Sequence, residues 1–207
     1  MIDVRELDAL QIDALREVAN IGAGHAATAL SQMTSRRIGV DVPEIRIVRL
    51  EDVPELVGDA ENPVAAVLMQ TLGDAPGRTV QLFPRGSASR IAAILLGREQ
   101  VPFPEGFGEL EQSVLKEVAN ILVGAYLSAL SDFLGMVLIM SVPALAIDQA
   151  GAILSSTYLN FGEEADYVLC IDTQLTLAEQ QEPLRAHFLF VPDMVSLRVI
   201  LRALRLA

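Results

Sequence analysis

The chain has 207 residues, 52% hydrophobic and 20% charged, which suffices for one large domain or two of about 100 residues and sets it apart from a disordered chain. Fifteen basic residues against 27 acidic ones give a net charge of −12, which argues against nucleic-acid binding and against an anionic membrane surface. The mean hydropathy of +0.41 raises a membrane span, but the charge-free run Phe133 to Ile147 falls short of the about 20 residues a spanning helix needs, so no span is expected.

Met1 to Glu6 has no apolar segment of signal-peptide form. Asp8 and Gln11 resemble a capping box and predict a helix to about Met33. Strand-like runs follow at 38–42 and 44–50, then a short helical piece near 52–57. Val64 to Thr71 and Arg78 to Phe83 predict a hairpin around Gly73 to Gly77. Ser87 is expected to cap a helix to about Leu96, and the Pro- and Gly-containing stretch 98–108 reads as a linker. The second half predicts a helix over about 109–134, strands near 136–147, 155–161, 166–177 and 184–191, and a helix from Asp193. Helices mixed with hairpins indicate an α+β fold with an antiparallel sheet.

The chain also repeats itself. Leu15-Arg16-Glu17-Val18-Ala19-Asn20-Ile21 recurs as Leu115-Lys116-Glu117-Val118-Ala119-Asn120-Ile121, and Gly24, Ala29, Leu30, Ser31, Val42 and Pro43 recur at the same offset of 100. Pro84, Arg90 and Leu96 correspond to Pro192, Arg198 and Leu204 at an offset of 108, the polar stretch Ala178 to Pro183 accounting for the longer second copy. The expected organisation is one pseudo-twofold domain over 1–207, built from repeats at about 8–97 and 109–206 with the linker at about 98–108, as if a symmetric dimer had been fused. Such a chain can satisfy its own interface as a monomer.

Asp13, Glu17, Asn20 and Gly24 fall on one stripe of the first helix, and Ser113, Glu117, Asn120 and Gly124 on the same stripe of the second. Ile12, Leu15, Ala19 and Ile21-Gly22 are expected to face the core instead. A single Glu–Asn pair on a helix is usually a solvated face, but duplication should preserve core positions more readily than exposed polar ones, and here the polar pair persists with a distant proline. Asn is neutral and can hold a water in line with a reacting centre; Glu can pair with a cation on a partner. No nucleophilic cysteine loop, P-loop or metal cluster accompanies them, so a partner would have to bring metal and cation.

The spacing Asp13-x3-Glu17-x2-Asn20 with Pro43 after 22 residues, repeated as Ser113-x3-Glu117-x2-Asn120 with Pro143 after 22, resembles the twofold signature of CheC-type chemotaxis phosphatases. Ile21-Gly22-Ala23-Gly24-His25-Ala26 also resembles the stretch that follows the first motif in that family. The resemblance implies a CheC-like fold with two long motif-bearing helices and hydrolysis of the phospho-aspartate of the response regulator CheY. It implies that Glu17 and Glu117 engage a Lys of the regulator, that Asn20 and Asn120 position the attacking water, and that Asp13, Ser113, Pro43 and Pro143 support them. The chain itself is expected to bind no metal or cofactor, Mg²⁺ belonging to the receiver domain of the substrate protein. The family includes members that bind the receptor deamidase CheD, which leaves a non-enzymatic or weakly enzymatic CheD-binding regulator of chemoreceptor modification as the alternative, and a monomer or a heterodimer with CheD as the expected state. CheX-like relatives carry one such site and FliY-type relatives an additional C-terminal switch domain, so a stand-alone CheC-like protein is expected.

Other signals carry less. Gly22-x-Gly24-x-x-Ala27 matches a loose dinucleotide fingerprint but falls inside a helix rather than after a strand. His25 and His187 are the only histidines and read as surface or core residues. The single cysteine, Cys170, reads as a small core hydrophobe between Asp166 and Asp172, which are expected to be exposed, and fits a reducing cytoplasm. Arg198, Arg202 and Arg205 form a basic stripe on the last helix, with no site assigned.

Overall fold

The structure, a computed structural model, describes residues 9–53, 60–159, 167–177 and 182–204. Along the chain these form α1 (Ala9–Thr34), β1 (Ile38–Arg49), a single 3₁₀ turn (Leu50–Asp52), β2 (Pro63–Gly73), β3 (Gly77–Pro84), α2 (Arg85–Leu96), α3 (Glu109–Leu134), β4 (Leu138–Met140), β5 (Ala144–Gln149), α4 (Ala150–Leu159), β6 (Tyr167–Leu177), β7 (Leu184–Pro192) and α5 (Met194–Leu204). The fold is α+β.

The strands make one seven-stranded antiparallel sheet in the order β1-β6-β7-β3-β2-β4, with β5 also on β2. β1 lies along β6 from Ile38–Leu177 to Arg49–Tyr167. At the opposite edge β4 and β5 lie along β2 from Leu138–Gly73 to Gln149–Pro63. The centre is the β3–β7 seam, running from Gly77–Pro192 to Leu82–His187. The hairpin of each half is therefore flanked by the first strand of the other half.

Alternation along the strands divides the core in two. Ala65, Val67 and Met69 of β2 and Phe188 and Phe190 of β7 face α1, α2, α3 and α5. Val64 and Ala66, with Val80, Leu82, Val168, Cys170, Leu189 and Val191, face the opposite side, where Ala150, Ile153 and Leu154 of α4 and Val53 cover them. On the first side, buried Leu15, Val18, Ala19, Ala23, Ala26 and Leu30 mark one face of α1, and Leu115, Val118, Leu122, Tyr126 and Leu130 one face of α3. The two helices pack antiparallel: Leu15 and Val18 meet Tyr126, Leu127 and Leu130, while Met33 and Thr34 meet Ser113 and Val114. Close approach falls at Gly22, where a Cβ would stand 2.8 Å from Tyr126 Cδ1 and 3.1 Å from the Ala125 carbonyl oxygen. Tyr126 is itself fixed by a 2.9 Å hydrogen bond between its hydroxyl and that of Thr173 and by contact with the Phe188 ring. By length and composition α3 could cross a membrane, but half of its most apolar window is buried inside the protein.

Three local expectations are corrected. The stretch read as a strand at 155–161 lies in α4 as far as Leu159, because Ala150, Ile153 and Leu154 bury at i, i+3 and i+4, a helical pattern that a short apolar run does not reveal by itself; 160 and 161 lie outside the described residues. The strand expected over 136–147 is two pieces, β4 and β5. α2 begins at Arg85 directly out of β3, with Pro84 at the capping position and no side-chain cap, so Ser87 is a buried residue of its first turns. Of the helical piece expected near 52–57, Val53 is helical and follows the 3₁₀ turn Leu50–Asp52, and 54–57 lie outside the described residues. The stretch 98–108 connects the halves but is no loose tether: Val101, Phe103 and Phe107 are buried, the two rings meet edge to face, and Arg98 pairs with Glu111.

Asp172 is also placed differently from the exposed position expected of it; Asp166 lies outside the described residues. Asp172 Oδ1 lies 2.8 Å from His187 Nδ1 and Oδ2 2.9 Å from Arg46 Nη2, which also reaches Glu44 at 2.8 Å. Burial pushes the Asp172 carboxyl up, but the His187 hydrogen bond and charge and the Arg46 guanidinium outweigh it, leaving the group below the ordinary carboxylate value. A carboxylate depressed in the folded state contributes stability that is complete above its unfolded pKa of about 4 and is lost as pH falls through its lower folded value. Asp172→Asn is expected to lower unfolding free energy near neutral pH by about 1–3 kcal/mol. Urea melts of the two proteins across pH should converge in acid. The neighbouring Cys170 thiol is pushed up to about 12, first by burial and then by the Asp172 charge, and is a core group rather than a nucleophile.

Candidate functional site

The two long helices carry the predicted residues on their outer faces. Asp13, Glu17 and Asn20 are exposed on α1; on α3, Ser113 and Glu117 are exposed and Asn120 is half-buried. The intervening Val18, Ala19, Val118 and Ala119 are buried in the helix-facing core. Each Glu and Asn, three residues apart, therefore project from one ridge with Cβ atoms about 5–6 Å apart. Because the helices are antiparallel, the two ridges stand toward opposite ends of the helix pair rather than merging into one centre.

Two residues expected to face the core do not. Ile21 is 46% and Ile12 36% exposed, since both fall outside the arc defined by Leu15, Val18, Ala19 and Ala26. Leu15, Ala19 and Gly22 are buried.

The prolines occupy corresponding places. Pro43 falls where the β1–β6 register shifts, between Asp41 and Glu44. Pro143 falls in the break between β4, which ends at Met140, and β5, which starts at Ala144. In the first half the pairing of the strand that follows the motif helix shifts, and in the second the strand breaks, at a residue that has no N–H to give to a ladder. A Cβ placed on Gly124 of α3 would stand 3.2 Å from the Met140 side chain at the end of β4, whereas one on Gly24 of α1 would have open space beside it.

The surroundings of the two ridges differ. On α1, Arg16 pairs with Asp13 at 2.5 Å, holding the leading acid of the motif. On α3 the same positions are Ser113 and Lys116. Ser113 and Glu117 form one wall of a cleft of about 290 Å³, with Met33, Thr34, Ile94 and Leu95 opposite. The sequence gives no warning of this cleft, because its walls come from α1, α2 and α3 and meet only through the antiparallel packing. At the offset of 100, bulkier Phe133 and Leu134 replace Met33 and Thr34 in the other half.

The lesser signals fall outside these ridges or have other partners. Gly22-x-Gly24 lies inside α1, not at a strand-to-helix turn. His25 is exposed on α1, and His187 is buried against Asp172. Arg198 and Arg202 are exposed on α5, and Arg205 lies outside the described residues. Among the described residues no group of three His, Cys, Asp or Glu side chains is arranged to hold a metal ion. The chemistry available on each ridge is an exposed carboxylate, able to take a cation from a docked protein, beside a carboxamide able to hold a water.

Comparison with known proteins bears on both fold and ridges. The CheC-like family matches at residues 10–47 and 110–147, two stretches that contain both Glu–Asn pairs and both prolines. The chain is 32% identical over 195 residues, 94% of its length and 93% of the relative's, to the CheY-P phosphatase CheC of Bacillus subtilis (strain 168). Among solved structures it is similar to FliY of Thermotoga maritima, with a TM-score of 0.75 at 19% identity over 97% of this chain and 98% of that one. It is also similar to the FliM middle domain of H. pylori, with a TM-score of 0.64 at 11% identity over 95% and 99% of the two chains. These two structural likenesses concern the fold.

Proposed function

The chain belongs to the CheC-like family, and from that premise we propose how its two ridges carry out the reaction. The protein is a phosphatase of CheY-P, the phosphorylated form of a CheY-type response regulator. In our reading each ridge is one active site. Glu17 and Glu117 each take a lysine of the receiver domain, a charge-assisted contact that fixes the register of docking. Asn20 and Asn120 enter the receiver's pocket and hold a water in line with the phosphorus of the aspartyl phosphate. The water attacks phosphorus, the bond from phosphorus to the aspartyl oxygen breaks, and a free carboxylate and inorganic phosphate leave. Orientation carries the rate, since the carboxamide is no base. Mg²⁺ belongs to the receiver's own acidic pocket in this reading and neutralises the phosphoryl charge there.

The observation that supports this most is the repeated ridge itself. The same Glu–Asn pair projects outward from α1 and from α3, while the flanking apolar residues turn inward. We read the halves as products of a duplication that kept both pairs. Asp13, held by Arg16, and Ser113 are assigned to the lead of each ridge, and Pro43 and Pro143 to the shape of the strand behind it. The experiment that tests this reading is release of inorganic phosphate from a phosphorylated receiver in Mg²⁺, with and without the protein. No acceleration by the wild-type chain would remove it.

A further inference from the structure

The ridges carry more than the Glu–Asn pairs. Reading α1 outward along positions three or four apart gives Leu10, Asp13, Glu17 and Asn20, with Ile21 beside Asn20; α3 gives Leu110, Ser113, Glu117 and Asn120, with Ile121 beside Asn120. Leu10 is 78% and Leu110 54% exposed. Ile21 is 46% exposed, and Ile121 is half-buried. Each polar pair is thus bracketed by aliphatic side chains, with an open leucine at the outer end.

A lone exposed leucine needs no explanation. Two at the same place on corresponding ridges are different, because neighbouring exposed positions have diverged between the halves. Ile12 is matched by Gln112, Asp13 by Ser113, Arg16 by Lys116 and His25 by Ala125. Folding does not require Leu10 or Leu110, since neither belongs to the buried core. An apolar side chain held in water is favourable only when something covers it.

We propose that Leu10 and Leu110 are the apolar anchors on which the phosphorylated receiver domain docks, one at each active site. This rests on the two-ridge reading above, which fixes the occupant. Ten residues of helix separate each leucine from its asparagine, about 15 Å. That distance lies well inside the footprint of a protein that covers about 800 Å² of its partner. The anchor calls for an apolar patch on the receiver about 15 Å from its phospho-aspartate. It also supplies what the glutamates cannot in a chain of net charge −12: affinity that survives salt, where charge pairs are screened.

The test is phosphate release as a function of phosphorylated receiver concentration, for wild type, for Leu10→Ala with Leu110→Ala, and for Leu10→Gln with Leu110→Gln. The glutamine pair keeps side-chain length and helix propensity should the alanine pair fold poorly. Both double variants should raise KM about five- to tenfold, the loss of an interface anchor, with kcat unchanged. The ratio of variant to wild-type KM should stay the same or grow between low and high salt. Leu72→Ala, a 50% exposed leucine on β2, should leave KM unchanged. A KM equal to that of wild type in both double variants, or an equal rise in Leu72→Ala, overturns the anchor. Failure of the underlying reading looks different: there, replacing Asn20 and Asn120 would leave kcat intact. If the asparagine changes lower kcat while the leucine changes leave KM alone, only the anchor falls.

Discussion

Replacing Asn20 and Asn120 together by alanine is expected to lower the rate of phosphate release from the phosphorylated receiver by about 10²-fold or more, the scale of losing a positioned polar group at a reacting centre. The loss should appear in kcat, because in the proposed reading the carboxamide acts on the attacking water and contributes little to docking. Each single change should leave the other ridge working, so activity falls only part of the way. Glu17→Ala with Glu117→Ala should behave differently, raising KM more than it lowers kcat and more strongly at low salt. The asparagines are exposed or half-buried on helices whose cores lie elsewhere, so melting temperatures should hold. Single-turnover phosphate release checks all of this. A double asparagine variant as fast as wild type would remove the water-positioning role.

The largest stability effect is expected from Gly22, and its near neighbour Gly24 should respond with the opposite sign. A side chain at Gly22 meets Tyr126 and the Ala125 carbonyl, where α1 and α3 touch, and the Tyr126 ring is held by Thr173 and Phe188. Neither partner can retreat without moving backbone. Gly22→Val is therefore expected to cost about 2–3 kcal/mol, since forced overpacking outweighs the smaller gain in helix propensity. At Gly24 nothing lies within 4 Å of the position a Cβ would take. Gly24→Ala should then gain about 0.5–1 kcal/mol from helix propensity alone. Urea midpoints at constant m report both changes.

The repeat made a large part of the fold legible. Its offset of 100 placed both long helices within a residue or two, and Leu15, Ala19 and Gly22 are buried as expected. Ile21 escaped because its place in an apolar run hid its angular position on the helix. The stretch from Ala150 escaped because ten mostly apolar residues fit strand and helix equally, and only the sheet face that α4 covers decides. Asp172 escaped because its partners come from β1 and β7, distant in sequence. The same limit applies at the site. Spacing could name the Glu–Asn pairs, while the cleft beside Glu117 depends on three helices meeting.

The exchange of first strands across the sheet bears on how the two ridges share one fate. Cutting the chain within 98–108 would leave each fragment with a hairpin lacking its edge neighbour and an edge strand lacking its hairpin. Neither piece alone could close its hydrogen-bond ladder. The second ridge is thus a copy in sequence but not in architecture: under the proposed reading the chain can lose one asparagine and keep working, yet it cannot discard one half and keep its sheet closed. That interlock gives selection a reason to maintain both halves even in a descendant that has lost one of the two Glu–Asn pairs.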